Sequence, residues 1–523
     1  MDDLINNTQE LSGVSNTQPP PTPPVPTKPG YTYVPPPRYT FPMEKPELIF
    51  ALLFLFFSLM MCNGILFAGA NLAFSMGILG NLFSTAGYLW IKKHRPDSYA
   101  AGLLLLSTLI AAAFPRSADA GLKAIAILVL LMVPGLAFCL TAGQNRFPVS
   151  GITSLLDGPR TLFSLGFGRI SESARGIKAA CNNTGVIGKK GSAVVLGLVI
   201  AVPLLAVVIP LLIFADAAFE GLLDLLPEIP LEEILFTLIF GGSCGYILYS
   251  RAVTLEYLPK KEAPPLKKTG LNPITVNTVL ISISLVYVAY LFSQLAYFVG
   301  GFSGILPEDY TLAQYARRGF FEMAWLCAIN LSVIALAAGL VSAQGDTPLS
   351  TRLICLFLGV VTLFLVATAS GKMLLYIGSY GLTRLRVLTE AFMIWLACTT
   401  VLVCIWLFRP RLPYMKGVLL LALTLYAVLM WADVDTQVAR YNVRAYQSGK
   451  LETVDVSHLG SLNYSAVPYL QELSEDADPL VSEKAAAILR RQANSIYQRC
   501  EDLRGWNAPK ARALKILEDF KDN

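Results

Sequence analysis

The sequence predicts an all-α fold: a polytopic transmembrane helix bundle of about eleven spans, followed by a small helical soluble domain. Long apolar runs fill the chain from Glu47 to Asp433. The chain is 54% hydrophobic and 15% charged, whereas soluble domains carry roughly 25% charged residues. Runs of about 20 apolar residues cross the hydrocarbon core as helices, because lipid offers no partner to an unpaired backbone group. The runs do not alternate, as the strands of an outer-membrane barrel do.

These runs divide the chain into three predicted domains. Residues 1–46 are polar and proline-rich, which is typical of a disordered tail. Residues 47–433 form the transmembrane bundle, and residues 434–523 form a small domain whose apolar residues recur at helical spacing. The predicted spans are 47–68, 70–91, 98–114, 121–142, 191–214, 234–256, 274–299, 320–343, 353–373, 387–408 and 416–432.

Basic residues in the short loops predict the orientation of the bundle. The loops that follow the second, fourth, sixth and tenth spans are basic, and the loop between the fifth and sixth spans is acidic. The basic loops therefore lie in the cytoplasm, the N-terminus lies inside, and with an odd number of spans the C-terminal domain lies outside. Segment 147–190 is amphipathic and basic. It either lies along the inner membrane surface or packs on the bundle as an ordinary loop helix.

The chain shows no pattern typical of a cofactor or metal site. Its nine cysteines include no CxxC pair, and its two histidines, His94 and His458, stand far apart. The sequence therefore predicts no cofactor and no metal. The formal charge of +5 is explained by topology, which argues against a nucleic-acid partner. The predicted partners are the lipid bilayer and a protein that binds the C-terminal domain or the proline-rich tail.

Three polar blocks remain at the ends of the last spans, and the topology puts all of them on the outer face. Charge near the bilayer core is costly and usually has a reason. The candidate ligand-binding residues are Arg317, Arg318 and Glu322; Lys372, Tyr380, Arg384, Arg386 and Glu390; and Asp433, Asp435, Arg440 and Asn442.

Two arginines begin spans at positions where helix dipoles disfavour positive charge. Arg318 and Glu322, like Arg386 and Glu390, are four residues apart and share a helix face. The arginines therefore need acidic partners, which these glutamates, Asp433 and Asp435 could supply. One interpretation is that the blocks form structural ion pairs and interfacial contacts. The other is an outward-facing pocket in which arginine binds a carboxylate or phosphate.

The same blocks carry a family resemblance. YARRGFFEM, GSYGLTRLRV, DVDTQVARYNV and DVSHLGSLNYSAVPYL occur in this order. On these blocks the sequence resembles the bacterial membrane-protein family catalogued as domain of unknown function 4173, related to 4153. The resemblance covers roughly residues 273–470, and His458 stands where the family pattern has tyrosine. It implies a bacterial cytoplasmic membrane and no established activity.

Three classes of function remain open. The first is a non-enzymatic sensor, regulator or scaffold that binds a ligand or partner through the arginine-containing outer face. The second is a transporter of a small anionic or amphipathic solute, although few ionisable residues fall at mid-membrane. The third is a membrane enzyme acting on a lipid-linked or phosphorylated substrate. Its acidic groups have no histidine or metal cluster beside them.

Overall fold

The computed structural model describes residues 45–149, 151–183, 208, 212, 230–257, 270–302, 320–342, 347–496 and 502–520. In these residues the chain is helical and contains no strand. The first half contains the spans α1 (Lys45–Asn63), α2 (Leu72–Ile91), α3 (Ser98–Ala112) and α4 (Ala120–Ala142), the amphipathic helix α5 (Ile170–Asn183), and the span that ends with α6 (Gly242–Tyr257). The second half contains α7 (Pro273–Phe302), α8 (Phe320–Ser342), α9 (Leu349–Tyr380), α10 (Arg384–Phe408) and α11 (Tyr414–Ala432). After the last span come α12 (Val434–Gln447), α13 (Val456–Ser461), α14 (Val467–Ser474), α15 (Pro479–Ile496) and α16 (Ala508–Leu517).

The prediction of an all-α polytopic bundle is confirmed. Ten helices in the described part of the chain are long and apolar enough to cross a membrane. They match ten of the eleven predicted spans, and the predicted span 191–214 falls almost wholly outside the described residues. Helix α9 is longer than the predicted span 353–373. It runs for 32 residues from Leu349 to Tyr380. The predicted tail, residues 1–46, lies outside the described residues except at the start of α1.

Buried apolar side chains form two clusters. One lies among α7, α8, α9 and α10 and includes Leu280, Ile334 and Leu358. The other joins α2, α3, α4 and α11 to the helices that follow the last span, from Leu103 and Met430 to Leu470 and Leu517. The C-terminal helices therefore share one hydrophobic core with the spans.

The segment after α4 packs on the bundle. Asp157 is fully buried, and it accepts hydrogen bonds from the backbone of Arg146 and Phe147 and from Arg160. Farther on, the Tyr246 hydroxyl of α6 donates to the Ile170 carbonyl at 2.9 Å. Phe163 remains 60% exposed, so this segment has one face on the bundle and one apolar face away from it.

Ion pairs also join helix ends on the face opposite the C-terminal helices. Lys92, just after α2, forms a salt bridge with the buried Glu47 of α1 at 2.5 Å. It also donates to the Tyr257 hydroxyl at the end of α6 at 2.9 Å. Burial opposes the charge on Lys92, but these two hydrogen bonds and the Glu47 carboxylate raise its pKa above the usual value. The Nε2 atom of His94 lies 2.6 Å from Glu256 beside this group.

Two close interhelical contacts lie within the bundle. Asn330 of α8 is a buried amide inside an apolar span, where it bonds to two other helices. It accepts from the Tyr287 hydroxyl at 2.8 Å and donates to Thr362 at 3.1 Å, which joins α7, α8 and α9. Gly241 and Gly245 have the spacing of a small-residue contact motif. A Cβ atom at Gly245 would meet the backbone of α1 at 3.0 Å.

We expect Gly245→Val to destabilise the bundle by about 1–3 kcal/mol, because overpacked side chains force backbones apart. The matched control is Gly242→Val, since nothing lies within 4 Å of a Cβ atom there. The measurement is the thermal midpoint of each purified variant in detergent. Equal losses in the two variants would contradict the close contact between α1 and α6.

Candidate functional site

Four of the predicted site residues meet where α10, α11 and α12 join. Arg384 is the first residue of α10, and its guanidinium forms a bidentate salt bridge with Asp435 of α12. Its Nε and Nη2 atoms lie 2.8 and 2.7 Å from the two carboxylate oxygens. Asn442, two turns farther along α12, accepts from the backbone N–H of Leu382 and donates to its carbonyl. The turn before α10 is thus held to α12 by a side-chain amide and an ion pair.

A second carboxylate on Arg384 comes from a residue that the sequence analysis missed. Asp119 Oδ2 lies 2.8 Å from the Nε atom of Arg384. The other oxygen of Asp119 accepts from the Gly121 and Leu122 backbone, so it caps α4. Both Asp119 and Asp435 are almost fully buried, whereas about a third of Arg384 is exposed. One guanidinium therefore joins the start of α4 to the starts of α10 and α12.

Asp433 occupies the sharp junction between α11 and α12. Its backbone adopts a left-handed conformation with φ of 49°, which is uncommon for a residue other than glycine. Its side chain accepts from Thr436 at 2.5 Å, from Ser465 at 3.2 Å and from Arg512 of α16 at 3.2 Å. These three contacts explain why an acidic residue stands at this turn.

Lys123 completes the group from α4. It is 7% exposed, donates to Asn71 at 2.7 Å, and lies close enough to Asp119 and Asp433 to interact with their charges. We call the set of three acids and three bases the helix-end network. Its members are Asp119, Lys123, Arg384, Asp433, Asp435 and Arg512.

Burial dominates the electrostatics of Asp435. It raises the pKa of this carboxyl above its usual range, and the neighbouring Asp119 and Asp433 act in the same direction. The hydrogen bond and charge of Arg384 oppose this rise. Asp435 therefore depends on Arg384 to remain ionised within a poorly solvated site.

The other predicted residues of the second block do not join the network. Arg386 donates to the carbonyls of Tyr380 and Gly381 and lies over the Tyr376 ring at 4.1 Å. It therefore closes the C-terminal end of α9. Glu390 accepts from Ser370 of α9 at 3.0 Å and forms no ion pair with Arg386, although they share a helix face.

The remaining predicted residues are spread over different surfaces. Lys372 is half-buried about two turns inside α9, since that helix continues to Tyr380, whose side chain is exposed. Glu322 is exposed near the start of α8, and Arg440 is exposed on α12. Arg317 and Arg318 lie outside the described residues.

The sequence contained a signal for Asp119 that the analysis did not use. An acid directly before an apolar run is typical of a helix N-cap, and the loop topology places this end of α4 on the face of Arg384. Arg251 is a charged residue inside the sixth predicted span, and it too was not among the predicted site residues. No pattern in the sequence points to Arg512. Among the described residues, no group of three or more His, Cys, Asp or Glu side chains could hold a metal ion.

Taken together, the ten apolar helices and the helix-end network define a polytopic helical membrane protein with a C-terminal extension attached to its spans. Residues 100–473 match the family model described as Domain of unknown function (DUF4153), and the chain belongs to this family. The matched region contains every member of the helix-end network except Arg512. No curated protein matches the chain. No solved structure matches it either.

We expect Arg384→Met to cost about 2–3 kcal/mol at neutral pH, because it leaves two buried carboxylates without their cation. This is less than the ~3–5 kcal/mol of a fully buried pair, since water screens the exposed part of Arg384. Without the guanidinium the pKa of Asp435 should rise further. The variant therefore keeps its stability below the usual carboxyl pKa, where Asp435 is protonated. It loses stability as the pH rises through the raised pKa of Asp435.

The measurement is the thermal midpoint of the wild type and of Arg384→Met between pH 7 and pH 5. The difference between the two midpoints should shrink as the pH falls toward 5. Arg440→Met serves as the control, because Arg440 is exposed on α12, and it should change stability by less than about 0.5 kcal/mol. A deficit that is the same at every pH would show that buried carboxylates are not its source.

Proposed function

We propose that this chain is a non-enzymatic sensor, regulator or scaffold of a bacterial cytoplasmic membrane, and that it recognises an anionic ligand or an acidic partner. The observation that carries the proposal is the division of α12 into two faces. Asp435 and Asn442 on one face are fixed to the spans. Arg440, Tyr441 and Arg444 on the opposite face are exposed.

This exposed face suits negatively charged partners. Residues 437, 440, 441 and 444 have the spacing of a single helical stripe. Arginine binds carboxylate and phosphate through its planar guanidinium, and tyrosine adds contact area at small entropic cost. We call this exposed stripe, residues 437, 440, 441 and 444, the recognition surface. It includes Arg440 but not the buried acids of the network.

The helix-end network connects α12, which carries this surface, to the membrane spans. Arg384 joins α12 to α10 and to the start of α4, and the same hydrophobic cluster contains Val438 of α12 and Leu103 of α3. A ligand that shifts α12 would therefore act on the starts of α4 and α10. Such coupling fits a sensor or scaffold, in which a protein partner binds the C-terminal domain or the proline-rich tail.

The orientation belongs to the same proposal. Basic loops between the spans support a cytoplasmic N-terminus, and the network places Asn71, Asp119, Arg384 and Asp433 at the opposite face from Lys92 and Tyr257. We infer that the C-terminal helices lie outside. The proposed assignment to the related family numbered 4173 rests on the four sequence blocks.

An alkaline phosphatase fused after Asn523 should be active in bacterial cells, because this enzyme folds only outside the cytoplasm. A fusion in the basic loop after Lys92 should be inactive and serves as the matched control. An inactive C-terminal fusion together with an active loop fusion would reverse the proposed orientation.

The recognition surface is tested by a thermal-shift screen of the purified protein against phosphates, anionic lipids and acidic amino acids. We expect an anionic compound to raise the midpoint of the wild type, and the rise to disappear in Arg440→Ala/Arg444→Ala. The control is Arg490→Ala/Arg491→Ala, which removes the same charge from exposed positions on α15. A compound that stabilises all three proteins equally, or no stabilising compound, would contradict the proposal.

A transporter of a small anionic or amphipathic solute is the second candidate, and one observation favours it. Arg251 is buried within a predicted span, and an intramembrane ionisable residue marks a solute path in many membrane proteins. Anion efflux from liposomes that contain the purified protein separates this candidate from a sensor. A membrane enzyme is less well supported, because Asp433 and Asp435 are already engaged by arginines.

A further inference from the structure

A buried guanidinium lies inside the bundle, away from the helix-end network. Arg251 of α6 is only 6% exposed, six residues before the end of its span. Its Nη2 atom lies 3.4 Å from the Thr85 hydroxyl of α2. Its guanidinium carbon lies 5.6 Å from the centre of the Phe138 ring of α4. Side chains from two other spans, α2 and α4, therefore contact it.

In the described part of the chain, no carboxylate forms an ion pair with Arg251. Glu47 of α1 and Glu256 of α6 are engaged by Lys92 and His94. A guanidinium keeps its proton inside proteins. A buried charge without a counter-charge is strongly destabilising, so negative charge beside Arg251 would stabilise the fold.

One donor of the guanidinium also lacks an acceptor. The Nε–H of Arg251 has no hydrogen-bond partner among the described residues. On the same two helices, the Nδ2 of Asn81, one turn from Thr85, and the hydroxyl of Thr254, one turn from Arg251, likewise have none. The Asn81 oxygen already accepts from Ser58, so its unused group is a donor. The two helices thus have unused donors as well as a buried positive charge.

We propose that Arg251 holds a small inorganic anion, such as a halide, between α2, α4 and α6. A halide would supply the negative charge that the guanidinium lacks and an acceptor for its unpaired Nε–H. Water would satisfy donors but would leave the charge uncompensated. The near-complete burial of Arg251 favours a small ion over a lipid phosphate, whose headgroup would need an opening to the membrane.

The proposal is tested with the full-length protein purified in detergent. Thermal midpoints are compared in sodium chloride, sodium bromide and sodium gluconate at equal ionic strength. We expect chloride and bromide to raise the wild-type midpoint by about 2 °C or more over gluconate, and the rise to saturate, because an ion that binds the folded state stabilises it by mass action.

Arg251→Gln should abolish the halide response. The matched control is Arg409→Gln, which removes an exposed arginine at the end of α10 and should leave the response intact. A halide response that survives in Arg251→Gln would overturn the proposal.

A second measurement covers the case in which Arg251→Gln does not fold. Wild-type crystals grown in bromide should show an anomalous peak within hydrogen-bond reach of the Arg251 guanidinium. If the wild-type midpoint is the same in chloride and gluconate and no such peak appears, the proposal is wrong and the guanidinium is solvated by water.

Discussion

The contact of Arg384 with Asp119 and Asp435 is the constraint on which the membrane-proximal architecture depends. Helices in lipid gain little from hydrophobic association with one another, because lipid tails are as apolar as their side chains. A charged contact between their ends therefore has more weight in selecting one arrangement. Arg384 joins helix starts that are far apart in sequence, and Asp433 and Lys123 add charges of both signs to the same face.

This constraint also explains the nature of the C-terminal helices. The sequence predicts a separate small domain from residue 434, where the long apolar runs stop. The last span indeed ends at Ala432, and Asp433 starts a new direction. However, Leu470 and Leu517 belong to the same hydrophobic cluster as Leu103 of α3. A change of hydropathy along the chain reports the solvent around each segment, and it contains no information about which segments pack together.

The spans were predictable because a helix in lipid must satisfy its own backbone, so length and composition suffice. The site was predictable only in part. Arg384, Asp433 and Asp435 stood out as charges beside apolar runs, and their convergence followed from topology. The partner choice did not follow, since Arg386 has Glu390 on its own helix face yet bonds to the carbonyls of Tyr380 and Gly381. Side-chain direction and the position of the α9 end decide that choice, and spacing alone does not reveal them.

The distances along the chain between network members have a consequence for biogenesis. Asp119 and Lys123 enter the membrane early, whereas Arg384, Asp435 and Arg512 follow some hundreds of residues later. At ~5–20 residues per second, each hundred residues takes roughly 5–20 s to synthesise. During this interval the early pair has no access to its later partners. A nascent chain that stops before α10 therefore leaves Asp119 at a span end without its guanidinium partner, a state that quality-control proteases could distinguish from the finished protein.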